Sequence, residues 1–269
     1  MIKLRLKKQM HTPLGEEWLD LDLNIPQGGF IALFGESGAG KTTFLRMLAG
    51  LIKPHEGYIE VDGEVWFDSQ KKIDLPIQQR RTGFVSQENN LFPHMTVRGN
   101  LEFACRDKGD HSSIKEWVAL MGLKGLEDRR PDQLSGGQNQ RVSLIRALIS
   151  KPKVLLLDEP LSDLDIHSRL NLQDEIIKAH QRTKITTVLV SHDLSEVFKL
   201  SKKVFVIDKG KVTRSGSPQE VFVNNDQSGK FRFTGEIIEI QKEGVVNILT
   251  LNIGNHLTKV VATDEEIEG

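Results

Sequence analysis

Residues 35–43 read Gly-Glu-Ser-Gly-Ala-Gly-Lys-Thr-Thr and follow directly on the apolar run Phe30-Ile31-Ala32-Leu33-Phe34. A G-x-x-x-x-G-K-T spacing that leaves a buried strand and opens a helix is the pattern of a phosphate-cradling loop. Gly35, Gly38 and Gly40 let the backbone wind tightly, so that N–H groups along Glu36, Ser37, Ala39 and Thr43 turn onto phosphate oxygens. Lys41 supplies a point charge for the β- and γ-phosphates, and the Thr42 hydroxyl is a ligand for Mg²⁺. A plain glycine turn needs neither the lysine nor the threonine. The chain is therefore expected to bind a nucleoside triphosphate.

Two further constellations fit the same chemistry. The apolar run Val154-Leu155-Leu156-Leu157 ends in Asp158-Glu159-Pro160. Carboxylates at the carboxyl end of a parallel strand face the ligand crevice. Asp158 is placed to hold Mg²⁺, and Glu159 to orient and deprotonate an attacking water. The third is Leu134-Ser135-Gly136-Gly137-Gln138, ahead of a helix bearing Val142, Ile145, Leu148 and Ile149. Ser135 and Gln138 fit a capping box, but a cap needs only one small residue. The pair Gly136-Gly137 leaves bare N–H groups at the positive end of a helix dipole, a second anion cradle.

The elements that must hold these residues show in the periodicity. Ile2, Leu4 and Leu6 alternate with Lys3, Arg5 and Lys7, and Leu19, Leu21, Leu23 and Ile25 with Asp20, Asp22 and Asn24. Period two with one wet face predicts antiparallel strands. Runs 30–34, 154–157 and 187–190 are continuously apolar, as expected of parallel strands covered on both faces. A helical pattern runs over 170–181. The expected fold is α/β: a P-loop NTPase core with a parallel sheet, an antiparallel β subdomain and an inserted helical subdomain at about 88–150. Within that insert, Ser113 and Glu116 predict a capping box ahead of Trp117, Val118 and Met121. A hairpin is predicted at 204–212 around Asp208-Lys209-Gly210, and a short helix from Ser217-Pro218. The predicted domains are 1–224, the nucleotide-binding domain, and 225–269, a partial or truncated accessory β domain. That segment is expected to carry strands near 231–240 and 245–253 and an acidic end at Asp264-Glu265-Glu266.

Composition narrows the class. The 269 residues are 38% hydrophobic and 27% charged, which suits a globular chain. A net charge of −1 gives no overall field for nucleic acid, and no such partner is expected. Cys105 is the single cysteine, so no internal disulfide forms. No apolar stretch approaches the ~20 residues of a membrane span, and the N-terminus lacks a signal-peptide core. Action at a membrane is therefore expected through a partner.

Taken in order, the 35–43 loop, Gln87, the 134–138 segment, Asp158-Glu159, the 162–165 segment and His192 resemble the ATP-binding subunits of ABC transporters. The resemblance covers roughly 1–222. It implies a homodimer in which each ATP lies between one P-loop and the partner's Ser135, Gly136, Gly137 and Gln138. Gln87 is similar to the glutamine that touches Mg²⁺ and the attacking water, His192 to the histidine on the γ-phosphate, and Asp165 to the aspartate that crosses the dimer. By local sequence alone, Gln87 reads as a solvent-facing strand end and Asp165 as a helix cap. Adjacent side chains on a strand point to opposite faces, so Ser191-His192-Asp193 is no hydrolase triad.

The aromatic residue that stacks on adenine in the family is missing; Gln9-Met10-His11-Thr12 stands there, leaving His11 or Trp18 to cover the base. Leu91-Phe92-Pro93-His94 and Arg98-Gly99-Asn100-Leu101 resemble the molybdate-import branch, with sulfate, sugar and polyamine importers as alternatives. The implied partners are permease subunits and, indirectly, a periplasmic or extracellular substrate-binding protein, and the implied place is the cytoplasmic face of the inner membrane. A non-transport ABC ATPase acting on DNA or the ribosome, or a regulatory nucleotide-binding module, is the reading from another class.

Overall fold

The computed structural model describes residues 1–12, 15–88, 90–105, 111–223, 235–243, 246–253 and 256–262. The chain divides into two compact units, Met1–Asn224 and Asn225–Gly269. In the first, β1 (Ile2–Thr12) and β2 (Gly15–Ile25) precede β3 (Phe30–Phe34), α1 (Lys41–Ala49), β4 (Glu56–Val61), β5 (Glu64–Asp68) and β6 (Ile73–Asp74). Then come α2 (Ile77–Arg80), β7 (Thr82–Val85), α3 (Val97–Ala104), α4 (His111–Leu120), α5 (Gly136–Ile149), β8 (Val154–Asp158) and α6 (Ile166–Thr183). The unit closes with β9 (Thr186–Ser191), α7 (Leu194–Leu200), β10 (Lys203–Asp208), β11 (Lys211–Gly216) and α8 (Pro218–Phe222).

Among the described residues these strands form one 11-stranded sheet in the order β6-β5-β4-β1-β2-β11-β10-β3-β9-β8-β7. Strands β10, β3, β9, β8 and β7 run parallel, and β6, β5, β4, β1 and β2 form an antiparallel wing. β8 and β9 are buried along their whole length, as continuous apolar runs predict. On β2 the alternation holds, with Leu19, Leu21, Leu23 and Ile25 inside the core. The crossovers bring the carboxyl ends of β3, β8 and β9 side by side, with Phe34 level with Ser191 and Asp158 with Val190.

The hairpin between β10 and β11 turns at Lys209 (φ 46°) and Gly210 (φ 73°), two left-handed residues of the kind that match strand twist. Ser217 caps α8 with Pro218 in its first turn, as the sequence predicts, and Glu220 completes a reciprocal capping box. One expectation needs correction. Ser113 lies inside α4, which has already started at His111, so Ser113 and Glu116 are no capping box; Glu116 instead pairs with Arg182 on α6. A charged residue three positions after a serine reads alike at a helix start and within its first turns.

The second unit holds a three-stranded antiparallel sheet, β12 (Glu236–Glu243), β13 (Val246–Ile253) and β14 (His256–Ala262). β14 was not foreseen, because His-Leu-Thr-Lys-Val-Val-Ala lacks clean alternation. Positions 231–234, 244–245 and 264–266, invoked in the sequence reading, lie outside the described residues. No helix among the described residues is long and apolar enough to cross a membrane.

Candidate nucleotide site

The 35–43 loop leaves β3 and turns into α1 at Gly40, which caps the helix in the left-handed region (φ 94°) with no side-chain hydrogen bond. The first-turn N–H groups of α1 are thus left to a ligand rather than to a capping oxygen. Gly35 is required by packing: a Cβ there would stand 2.2 Å from the Ile207 carbonyl oxygen on β10. Gly40 is pressed by Leu19 and Met10, where a Cβ would meet Leu19 Cδ1 at 2.8 Å. Glu36, Ser37 and Gly38 are exposed, and Ala39 and Thr43 half-buried.

Lys41 is buried, and its ammonium donates to the carbonyls of Gly35 (2.8 Å) and Glu36 (2.7 Å). Burial pushes its pKa below the ordinary lysine value, against the pull of Glu159 and Asp158. Thr42 Oγ1 donates to Asp158 Oδ1 at 2.9 Å, tying α1 to the end of β8. Burial raises the Asp158 carboxyl, and the Thr42 hydrogen bond opposes that rise. Glu159 stands one residue on in the left-handed region (φ 47°), a costly place for a non-glycine residue and one typical of functional turns. Its N–H donates to Val190 O at 3.1 Å, and its Oε2 lies 3.1 Å from His192 Nδ1. Lys41, Thr42, Asp158, Glu159 and His192 therefore gather at the carboxyl ends of three neighbouring strands.

The other predicted residues lie elsewhere on the unit. Gln87 is exposed just past β7. Ser135 caps α5, accepting from Gln138 N at 3.2 Å while its own N–H donates to Gln138 Oε1 at 2.9 Å. Asp165 caps α6 through Ser168 N (3.0 Å), and its hydrogen bonds with the Ser168 side chain and backbone lower its pKa. Among the described residues, no hydrogen bond or ion pair joins Gln87, the 135–138 segment or Asp165 to the 35–43 loop. Trp18 is 50% exposed and its ring lies 5.8 Å from that of His55; the His11 side chain lies outside the described residues.

Oxygen donors only, one of them a carboxylate, suit Mg²⁺, which takes one or two carboxylates and completes its shell with water and substrate phosphates. Residues whose role the sequence did not reveal include Asn100, fully buried on α3. Its amide donates to the carbonyls of Phe92, Met95 and Thr96 and accepts from Phe92 N at 2.8 Å, fixing the 92–96 loop beyond Gln87. Glu196 and Arg169, next to His192, were missed too; nothing in a helix-borne Glu or Arg distinguishes it from a surface charge.

The profile of the ABC transporter family matches residues 19–162, more than half of the chain. The chain is a member of the ABC transporter family. It is 40% identical over 222 residues to the molybdenum import ATP-binding protein ModC of Vibrio parahaemolyticus, covering 82% of this chain and 60% of that protein. It is 47% identical over 208 residues to the Fe(3+) ions import ATP-binding protein FbpC 1 of Pectobacterium atrosepticum, covering 76% and 57%. The chain thus spans about 60% of the length of these curated relatives. Among solved structures, the dimeric post-hydrolysis state of the ATP-binding cassette MJ0796, bound to ADP and Pi, aligns with a TM-score of 0.69 at 28% identity. It covers 81% of this chain and 99% of that one. The α/β cassette fold expected from the sequence is the fold found.

Proposed function

We propose that the chain is the ATP-hydrolysing subunit of an ABC importer, working as a homodimer against a membrane permease. The observation that carries this reading is the meeting of Thr42–Asp158 and Glu159–His192 beside Lys41. On binding, the phosphates would draw Lys41 Nζ from the two loop carbonyls, exchanging neutral acceptors for charged ones. Thr42 and Asp158 would hold Mg²⁺, whose charge offsets that of the phosphates. Glu159 orients the attacking water and takes its proton, and His192 meets the γ-phosphoryl group. Positioning and charge do the rest, since phosphoryl transfer needs little covalent help.

The glycine pair in the first turn of α5 supports the paired arrangement. A Cβ at Gly136 would meet nothing within 4 Å, one at Gly137 would make only ordinary contacts, and neither residue has positive φ. Nothing within the protomer demands glycine at either place. A partner's nucleotide, closing on Ser135, Gly136, Gly137 and Gln138, does. Gln87 and Asp165 are assigned to Mg²⁺ and water, and to the dimer contact. The permease is assigned to the helical insert, where Phe103 is 66% exposed and stacks edge-on against Phe92 on the loop that Asn100 fixes. On the same reading the subunit works at the cytoplasmic face of the membrane, with a substrate-binding protein acting on the far side.

Molybdate is the proposed cargo, on the 98–101 resemblance and on two ModC relatives that match over 82% of the chain, against 76% for FbpC 1. Ferric ion is the second reading, because FbpC relatives reach higher identity. The test of the core reading is Glu159→Gln: phosphate release should stop while ATP binding persists and a nucleotide-trapped dimer appears on size-exclusion chromatography. Near-normal turnover removes Glu159 from its role. Co-purification of a permease, followed by ATPase assays with molybdate-loaded or ferric-loaded binding protein, decides the cargo.

A further inference from the structure

His192 is itself exposed, yet both of its neighbours are anchored. Ser191, at the end of β9, is buried, and its hydroxyl donates to Glu196 Oε2 at 2.7 Å on α7, a carboxylate that is only 4% exposed. Asp193 caps α7 through Ser195 N at 2.7 Å with one oxygen. Its other oxygen accepts from Arg169 Nη1 at 3.1 Å. Arg169 belongs to α6, and its Nη2 reaches the Leu164 carbonyl at 3.5 Å, immediately before Asp165. One guanidinium thus spans the loop of His192 and the turn of Asp165. Its Nε is buried without a hydrogen-bond partner among the described residues, which leaves one donor in reserve.

The same turn lies against the start of α5. A Cβ on Gly137 would sit 3.5 Å from the Ser168 side chain and 3.8 Å from Leu164 Cδ2. A group seated on Gly137, or a shift of the 135–138 segment toward α6, therefore meets Leu164 and Ser168 first. A short cavity of about 40 Å³ beside Glu159 and His192 is lined by Arg169 and Glu196 as well, so the linkage borders the reacting groups.

The geometry points to Arg169 as a positioning residue that couples the Leu164–Asp165 turn, and through it the start of α5, to the loop that carries His192. The inference rests on the proposed hydrolysis between paired protomers: in that pairing α5 meets the partner's nucleotide and His192 the protomer's own. Arg169 then makes the placing of His192 depend on whether the second site is closed. Planarity matters here, because a lysine point charge satisfies Asp193 or Leu164 O but not both.

The test is a double-mutant cycle on the full chain, Arg169→Gln with Asp193→Asn; asparagine keeps the α7 cap and removes the ion pair. MgATP affinity and kcat for phosphate release are measured separately. Each single change should lower kcat about tenfold at an affinity within about twofold of the parent, and the double change should be no worse than either. Multiplied losses, or a folded Arg169→Gln chain with parental kcat, overturn the coupling. If Arg169→Gln misfolds, Asp193→Asn and Arg169→Lys carry the same comparison. A parent chain that releases no phosphate from ATP removes the hydrolytic reading and this inference with it, whereas parental turnover indifferent to both positions removes this inference alone.

Discussion

At Glu159 the backbone accepts a left-handed conformation that glycine would adopt without strain, yet a carboxylate stands there. The cost is of order 1–3 kcal/mol, and it holds the carboxylate at the β8 terminus, 3.1 Å from His192. Glu196 is a second carboxylate under tension. Burial raises its pKa, and the Ser191 hydroxyl only partly offsets that. A group whose carboxyl keeps its proton longer when folded loses stability as pH rises, starting from the unfolded value near ~4.3 and ending where the folded group has titrated. Glu196→Gln keeps an acceptor for Ser191 and removes the charge. The variant should therefore gain Tm relative to the parent progressively from about pH 4.5 upward, in thermal melts across pH 4–8. A constant difference at all pH values would mean that Glu196 does not titrate in that window.

At the scale of elements, the carboxyl end of α1 is closed by a residue from another segment. Arg80 on α2 is 1% exposed and donates to the carbonyls of Met47 (2.9 Å), Leu48 (3.2 Å) and Leu75 (2.9 Å), with Asp74 at 3.0 Å. Gly50 must be glycine for this: its φ is 84°, and a Cβ would stand 2.7 Å from Arg80 Nε. Replacing Arg80 by Met keeps the length but takes this donor from the buried Leu48 and Leu75 carbonyls, while Met47 O keeps the Gly50 N–H. The expected loss is roughly 3 kcal/mol, or roughly 6–12 °C in Tm, with nucleotide affinity falling because α1 carries Lys41 and Thr42. Calorimetry and nucleotide titration check both. An Arg80→Met chain as stable as the parent would show that other groups close α1.

For the whole molecule the question is whether a second protomer completes the nucleotide site, as proposed. The protomer gathers Lys41, Thr42, Asp158, Glu159 and His192, and among the described residues no direct hydrogen bond or ion pair joins the 135–138 segment to them. Gly136→Ala separates the two interpretations of that segment. Alanine is the better helix residue by up to about 1 kcal/mol and meets nothing in the protomer, so Tm should hold or rise. If a partner's nucleotide packs on Gly136, ATP-dependent dimerisation and turnover should nevertheless fall by about tenfold or more, read by size-exclusion chromatography and phosphate release. Unchanged turnover would make α5 an ordinary capped helix.

Much of this was legible along the chain, because the signals were local. The 35–43 loop, the buried runs at 30–34 and 154–157, the caps at Ser135, Asp165 and Ser217 and the Lys209-Gly210 turn depend on residues within a few positions of one another. A parallel core with crossover helices followed from the pattern of buried runs, and the carboxyl-end position of Asp158 from strand polarity; the order of the strands did not. What the tertiary structure alone decided were contacts between residues far apart in sequence: Thr42 with Asp158, Glu159 with His192, Arg169 with Asp193, Arg80 on α1 and Asn100 on the 92–96 loop. A buried charge and a surface charge are the same letter in a sequence. Only folding sets how much water each one loses and which partner it gains in exchange.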